Sequence, residues 1–240
     1  MEKALVVENL KKNYGNIQAL KGINFDATPG EIFALIGPNG AGKTTALRII
    51  ATILTSDGGN VYVYGTSVKK QPEKIRSIIS YLPEEAGAYK NLTGKEYLRF
   101  MASLFAPDEK TCEEYAGVAS EIADLGDRLK NKISTYSKGM TRKLLLARAV
   151  MTNPKLAILD EPTSGLDVLN ALEIRNTIKR LAKSGMTVLV SSHNMLEIEY
   201  LCDRVGIINK GEILETGTPG ELKKKFGAQN IEEVFAEVAR

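Results

Sequence analysis

A glycine-rich turn between an apolar run and a helix-like segment constrains this chain more than any other feature. The turn reads Gly37-Pro38-Asn39-Gly40-Ala41-Gly42-Lys43-Thr44, follows the run IFALI at 32–36 and is itself followed by Thr45. It fits the spacing G-x-x-x-x-G-K-[ST], in which glycines let backbone N–H groups turn inward around phosphates. Lys43 supplies a charge for the outer phosphates, and Thr44 supplies a hydroxyl for Mg²⁺. We therefore predict a phosphate site backed by a helix over residues 45–54; the alternative is a chance glycine-rich turn.

Short apolar runs alternate with helical patterns along the chain, and this alternation indicates an α/β fold. The runs at 32–36, 78–82, 156–159 and 187–190 predict buried strands of a mostly parallel sheet. Between residues 91 and 154 the pattern is nearly all helical, which indicates a helical lobe inserted into the core.

Polar residues at three places predict where helices begin. Thr93 and Glu96 form a candidate capping box for a helix that runs through Phe105. Ser137 can cap a helix that ends before Pro154, and Thr218 can cap another that has proline in its first turn. Residues 231–238 predict a short amphipathic helix at the end of the chain.

Composition narrows the class of partner. The net charge of +3 is small for 240 residues, so the chain lacks the concentrated basic character of a nucleic-acid binder, and no nucleic-acid partner is expected. Cys112 and Cys202 are far apart without metal-like spacing, which favours two reduced thiols. The chain meets Glu2 before any long apolar stretch, so no secretory leader is expected. No apolar run approaches the roughly 18 to 20 residues that span a bilayer, so any membrane role requires another chain.

Acidic residues and the single histidine follow two of the predicted strands. The run at 156–159 ends in Asp160 and Glu161, and a carboxylate there needs a cationic partner. Mg²⁺ at the phosphate loop would be that partner for Asp160, while Glu161 could polarise a water in line with the γ-phosphate. His193 follows the run at 187–190 and could contact the γ-phosphate and hold that water. The alternatives are an acidic strand-end turn and a structural histidine.

In combination, these motifs resemble the nucleotide-binding subunits of ABC transporters, and the match covers nearly the whole chain in the family's order. Residues 37–45 resemble Walker A, residues 156–161 Walker B, Ser164 to Asp167 the D-loop, His193 the switch histidine and Tyr14 the aromatic residue that stacks on adenine. The resemblance implies ATP and Mg²⁺ as cofactors, with Glu161, His193 and Lys43 as catalytic residues and Asp167 in the nucleotide site.

The resemblance also implies a fold: a P-loop NTPase core with a mostly parallel sheet, an N-terminal antiparallel β subdomain and an inserted helical lobe. We expect a single ATPase domain over residues 1–240. Its core would comprise about 1–87 and 155–217, its helical lobe about 88–154, and its C-terminal helices about 218–240.

Two segments depart from the family pattern. The segment Tyr136-Ser137-Lys138-Gly139-Met140 lies where the family has Leu-Ser-Gly-Gly-Gln, so only Ser137 and Gly139 match. Both would lie at a helix N-terminus, which favours an anion, although Ser137 could be no more than a helix cap. Glu84 replaces the usual glutamine and is predicted to be a Mg²⁺ ligand.

The resemblance implies partners as well. It predicts a head-to-tail homodimer or heterodimer of cassettes, in which each ATP lies between residues 37–45 of one subunit and Ser137 and Gly139 of the other. It also predicts separately encoded transmembrane subunits that contact residues 84–92, and a peripheral location on the cytoplasmic face of the membrane. Residues 81–105 and 230–235 look most like exporter cassettes. The alternatives are a soluble ABC-type ATPase, a phosphate-loop kinase and an inactive binding regulator.

Overall fold

The computed structural model describes residues 3–239. In this structure the phosphate loop, residues 37–45, follows a central strand of a six-stranded sheet. The predicted domain limits at residues 1 and 240 lie outside this range. So does Glu2, on which the expectation of no secretory leader rests. The strand order is β10-β9-β3-β8-β7-β6, parallel except for the antiparallel pair β9–β10. These strands are β3 (Ile32–Ile36), β6 (Ile79–Leu82), β7 (Leu156–Asp160), β8 (Thr187–Ser192), β9 (Arg204–Asn209) and β10 (Glu212–Gly217).

The central strands are buried on both faces, as expected for parallel strands between two layers. Ile32, Ala34 and Ile36 of β3 face one apolar cluster, and Phe33 and Leu35 face the other. The parallel pairing of β3, β6, β7, β8 and β9 confirms the prediction of a mostly parallel sheet.

A second, four-stranded antiparallel sheet has the order β2-β1-β4-β5. Its strands are β1 (Leu5–Tyr14), β2 (Ile17–Ala27), β4 (Gly58–Val63) and β5 (Thr66–Ser67). This sheet confirms the predicted N-terminal antiparallel subdomain, and its buried residues share an apolar cluster with Phe33 and Leu35.

Nine α-helices and two 3₁₀ turns complete the part of the chain that the structure describes. The helices are α1 (Lys43–Ile50), α2 (Pro72–Arg76), α3 (Gly94–Ser103), α4 (Glu109–Ala123), α5 (Lys138–Val150), α6 (Val168–Lys183), α7 (Met195–Glu199), α8 (Pro219–Phe226) and α9 (Ile231–Val238); the 3₁₀ turns are Gly126–Lys130 and Ile133–Thr135. Between β6 and β7, helices α3, α4 and α5 pack against one another. The limits of a lobe at 88–154 stay a prediction. Within residues 3–239, no helix combines the length and hydropathy that crossing a bilayer requires.

Three predicted caps are confirmed. Thr93 and Glu96 form a capping box at α3, Thr218 and Glu221 form another at α8, and the Ser137 side chain accepts a hydrogen bond from the Met140 amide. Each satisfies an amide that the first helical turn leaves without a partner.

Two helix boundaries were predicted wrongly. The helix predicted over residues 45–54 begins at Lys43, because the phosphate loop leads straight into it after Gly42, and it ends at Ile50. Thr52 takes a left-handed backbone with φ 63°, which cannot continue a helix. The helix predicted to run through Phe105 ends at Ser103, where the Phe105 amide bonds to the Ala102 carbonyl in a tighter turn.

Candidate functional site

The phosphate loop forms one wall of an open cavity of about 150 Å³. The cavity is lined by Ala19, Asn39, Gly40, Ala41, Gly42, Lys43, Thr44, Thr45, Glu84 and Glu161. Gly40 and Gly42 have φ of 78° and 110°, a left-handed backbone that favours glycine. A Cβ on Gly42 would lie 2.8 Å from the Ala19 carbonyl oxygen. The loop can therefore take this conformation only with glycine at position 42.

Gly37 and Pro38 do not line this cavity, but their carbonyls fix the loop lysine. The Lys43 Nζ donates to the Gly37 oxygen at 2.7 Å and to the Pro38 oxygen at 3.2 Å. It also lies 3.5 Å from Oε1 of Glu161. Lys43 is only 5% exposed, so its ammonium is held inside the loop and beside a carboxylate.

Asp160 lies at the carboxyl end of β7, level with Ser191 of β8. Its Oδ1 accepts hydrogen bonds from Ser191 at 2.6 Å and from Thr44 at 3.1 Å. Its Oδ2 accepts a hydrogen bond from the Tyr81 hydroxyl at 3.1 Å. Burial, and then the nearby Asp160 charge, raises the pKa of Tyr81 to about 12. Tyr81 is therefore a stable hydrogen-bond donor to Asp160 at neutral pH.

Glu161 follows Asp160 with a left-handed backbone, φ 47°, and is almost fully buried. Its Oε2 lies 2.9 Å from Nδ1 of His193. Its Oε1 is one of two buried side-chain oxygens within residues 3–239 that have no hydrogen-bond partner, although Lys43 is nearby. The carboxylate is held at the cavity wall, with Oε2 against His193 and Oε1 near Lys43 but without a hydrogen bond.

Glu84 also lines the cavity, on the loop after β6. Its Oε1 accepts a hydrogen bond from the Ser164 hydroxyl at 3.2 Å. The structure therefore brings together Lys43, Thr44, Glu84 and Glu161 at the cavity, with Asp160 and His193 in direct contact with members of that group.

Four further predicted site residues do not line the cavity. Tyr14 ends β1, is 48% exposed and does not line the cavity. Ser137 and Asp167 cap α5 and α6, and hydrogen bonding to Asn170 lowers the pKa of Asp167. Gly139 packs against α6, where an added Cβ would lie 2.2 Å from the Asn170 side chain.

Sequence reasoning missed three residues that contact the site: Tyr81, Arg142 and Ser191. Tyr81 and Ser191 lie near the carboxyl ends of parallel strands, a position that could have marked them. Arg142 lies in α5 among buried residues, and burial lowers the pKa of its guanidinium. A buried arginine amid apolar helix positions was the available signal.

Comparisons with known proteins agree with the resemblance to ABC transporter subunits that the motifs indicate. A profile of the ABC transporter family matches residues 20–164. The linearmycin resistance ATP-binding protein of Bacillus subtilis (strain 168) is 40% identical over 227 residues, which are 95% of this chain and 73% of that protein. The bacitracin transport ATP-binding protein of Enterococcus faecalis is 36% identical over 226 residues, or 94% of this chain and 72% of that protein.

A solved structure shows the same fold in a nucleotide-bound dimer. It is described as the post-hydrolysis state of an ATP-binding cassette bound to ADP and phosphate. It is 26% identical, has a TM-score of 0.79, and covers 89% of this chain and 98% of that chain. The fold, the phosphate loop and these similarities agree: this chain belongs to the ABC transporter family, as an ATP-binding and ATP-hydrolysing subunit that powers a transporter.

Proposed function

We propose that residues 37–45 hold the triphosphate of ATP and that Glu161 readies the attacking water. The observation that carries this proposal is the position of the Glu161 carboxylate, at the wall of the phosphate cavity between Lys43 and His193. A carboxylate in that position, whose Oε1 makes no hydrogen bond in the structure, can accept a hydrogen bond, and then a proton, from water.

The reaction breaks the bond between the γ-phosphorus and the bridging oxygen and forms a bond from that phosphorus to the water oxygen. Glu161 takes the water proton, and His193 keeps the carboxylate oriented through its 2.9 Å contact. Lys43 leaves the Gly37 and Pro38 carbonyls and offsets the charge on the outer phosphates.

Thr44 and Asp160 would hold Mg²⁺. Their side-chain oxygens lie 3.1 Å apart beside the phosphate cavity, and hydroxyl and carboxylate oxygens are the donors that Mg²⁺ prefers. Within residues 3–239, no cluster of three or more His, Cys, Asp or Glu could hold a metal by itself. The metal would be shared with phosphate oxygens, and the ion would neutralise charge on the phosphates.

Calorimetry on the purified protein tests the proposed site directly. We expect ATP to bind with one nucleotide per chain, and phosphate release to require added Mg²⁺. A protein that binds no ATP would contradict the whole assignment, from the phosphate loop outward.

We expect Glu84→Gln to raise the Mg²⁺ concentration for half-maximal hydrolysis by about tenfold, because a carboxylate holds Mg²⁺ more strongly than an amide. The measurement is phosphate release across a Mg²⁺ titration at constant ionic strength. Glu212→Gln is the matched control, since Glu212 is an exposed acid in β10 that pairs with Lys21. An unchanged Mg²⁺ dependence and rate would exclude Glu84 as a ligand.

We further propose a head-to-tail dimer that completes each ATP site. Ser137 and Gly139 lie at the N-terminus of a 13-residue helix, yet neither lines the cavity of its own chain. Donors at such a terminus suit an anion presented by a second subunit. The similar solved cassette is described as dimeric, which supports this arrangement. Two equivalent sites would follow from two-fold symmetry.

Separate permease subunits would dock beside α3. Tyr89, within the predicted contact segment 84–92, is exposed and meets Phe100 edge-on with ring centroids 5.7 Å apart. Phe105 is also exposed and lines a groove of about 320 Å³ together with Tyr81 and Met101. An exposed aromatic side chain at a groove is typical of a protein-docking surface. We therefore extend the proposed contact from residues 84–92 to this groove.

We expect Phe105→Asp to lower co-purification with the cognate permease at least about tenfold, because a charge would lie in an apolar contact. Hydrolysis by the isolated subunit should change less than twofold. Val118→Asp is the matched control, since Val118 is an exposed apolar residue of the neighbouring α4. Equal losses in the two variants would exclude a specific role for the groove.

We propose that the transporter is an exporter and that this subunit lies on the cytoplasmic face of the membrane. The name of the linearmycin resistance protein supports export, and the name of the bacitracin transport protein supports a role in transport. The cargo would be chosen by the permease, because the site proposed above would hold only nucleotide.

A further inference from the structure

Arg142 lies in the second turn of α5, almost fully buried with 8% of its surface exposed. All of its side-chain nitrogens donate to main-chain carbonyls. The Nε bonds to Pro162 at 2.8 Å, one terminal nitrogen to Pro83 and Glu84 at 3.2 and 3.0 Å, and the other to Asp160 and Glu161 at 3.0 and 2.8 Å.

These five carbonyls belong to two loops that carry site residues. Pro83 and Glu84 follow β6, Asp160 is the last residue of β7, and Glu161 and Pro162 follow it. Among the ion pairs of residues 3–239, none includes Arg142, so its charge is balanced by carbonyl dipoles rather than by direct pairing with a carboxylate. A planar guanidinium with donors on three sides can bridge two loops in a way that a single ammonium cannot.

The carbonyls of Asp160 and Glu161 flank the α-carbon of Glu161, and the Asp160 carbonyl belongs to the peptide that joins the two residues. That peptide precedes the left-handed backbone of Glu161, which a residue with a side chain rarely adopts. Surrounding contacts must therefore hold the conformation, and the Arg142 guanidinium supplies two of them. The direction in which Glu161 points depends on this backbone.

The same helix carries Ser137 and Gly139 at its start. We propose that Arg142 is a positioning residue for hydrolysis, which fixes the loops of Glu84 and Glu161 in one geometry and ties both to α5. Contact of a second subunit with the start of α5 then bears directly on the loop that carries Glu161. This inference rests on the proposed role of Glu161.

The test is steady-state hydrolysis by the full chain carrying Arg142→Gln or Arg142→Lys, with kcat expressed per ATP-binding site measured by calorimetry. We expect Arg142→Gln to lower kcat about tenfold or more with KM for ATP within threefold, because a small displacement of a reacting group is costly. Amide hydrogen exchange should speed up over residues 160–166. Arg142→Lys keeps the charge but reaches one loop only, so its kcat should also fall, by about fivefold.

Lys143→Gln is the matched control, because Lys143 is the next residue of α5 and pairs with Glu173 of α6, away from both loops. A purely structural anchor would lower the melting temperature and the number of active sites but leave kcat per site unchanged. That result, or an equal loss of kcat in Lys143→Gln, would overturn the proposal. If Arg142→Gln does not fold, a wild-type kcat in Arg142→Lys overturns it instead.

Failure of the Arg142 proposal can be distinguished from failure of the proposed function. Normal hydrolysis by Glu161→Gln would remove the role of Glu161 itself, whatever Arg142 does. Loss of hydrolysis in Glu161→Gln with normal kcat in both Arg142 variants would overturn this inference alone.

Discussion

Replacing Glu161 by glutamine is expected to lower hydrolysis by the purified protein about 10²- to 10⁴-fold, the usual contribution of a general base. Glutamine has nearly the shape of glutamate, so the left-handed backbone and the contact with His193 can persist. What disappears is the oxygen that can take a proton from water. ATP affinity should stay within about threefold, because phosphate binding rests on the loop amides and Lys43.

The same variant should accumulate dimers in the presence of Mg²⁺ and ATP, because closure would no longer be followed by cleavage. Phosphate release measures the first effect, and size-exclusion chromatography with light scattering measures the second. Glu121→Gln is the control, since Glu121 is an exposed acid of α4 and its loss changes the net charge equally. Hydrolysis at the wild-type rate by Glu161→Gln would remove Glu161 from its assigned role.

The strands and caps could be predicted from sequence because each depends on local chemistry. The five residues of β3 are all apolar and all buried, and a short apolar run before a glycine-rich turn allows little else. Thr93 and Thr218 fulfil the spacing of a capping box within four residues. The end of α1 could not be predicted, because the left-handed Thr52 that stops it is a residue whose type does not favour that backbone.

Part of the site was predictable for a similar reason. Glu161 and His193 each follow a parallel strand, and parallel strands end at the same edge of a sheet, so their 2.9 Å contact follows from topology. Tyr81 could have been marked by its position near the end of a parallel strand, whereas the bonding partners of Arg142 were not predictable. Arg142 bonds to main-chain carbonyls, which every residue carries, so no partner residue type marks the interaction in the sequence.

The conformation of Lys43 could not be predicted from the sequence either. The motif predicts a lysine that reaches phosphates, whereas the structure shows its ammonium bonded to the loop's own carbonyls and 3.5 Å from Glu161. The Lys43 ammonium thus lies at the cavity as the counter-charge of the Glu161 carboxylate. Binding of ATP would exchange these contacts for phosphate oxygens.

Replacing Lys43 by alanine is therefore expected to weaken ATP binding at least about 100-fold, and hydrolysis should fall below detection. A hydrogen bond to a charged group contributes about 1.5–3 kcal/mol, and 1.4 kcal/mol is tenfold in affinity, so two phosphate contacts account for this loss. Calorimetry at constant ionic strength measures the affinity. Lys130→Ala, an exposed lysine that pairs with Asp127, is the control with the same change in net charge.

The two site variants should differ in kind as well as in degree. Glu161→Gln binds ATP and forms dimers, whereas Lys43→Ala should form none at ATP concentrations that saturate the wild type. Lys43→Arg should not restore binding, because the larger guanidinium would have to fit where one ammonium lies 2.7 Å from the Gly37 carbonyl. If Lys43→Ala bound ATP within threefold of the wild type, the loop amides alone would suffice, and the exchange of Lys43 from Glu161 to phosphate would be excluded.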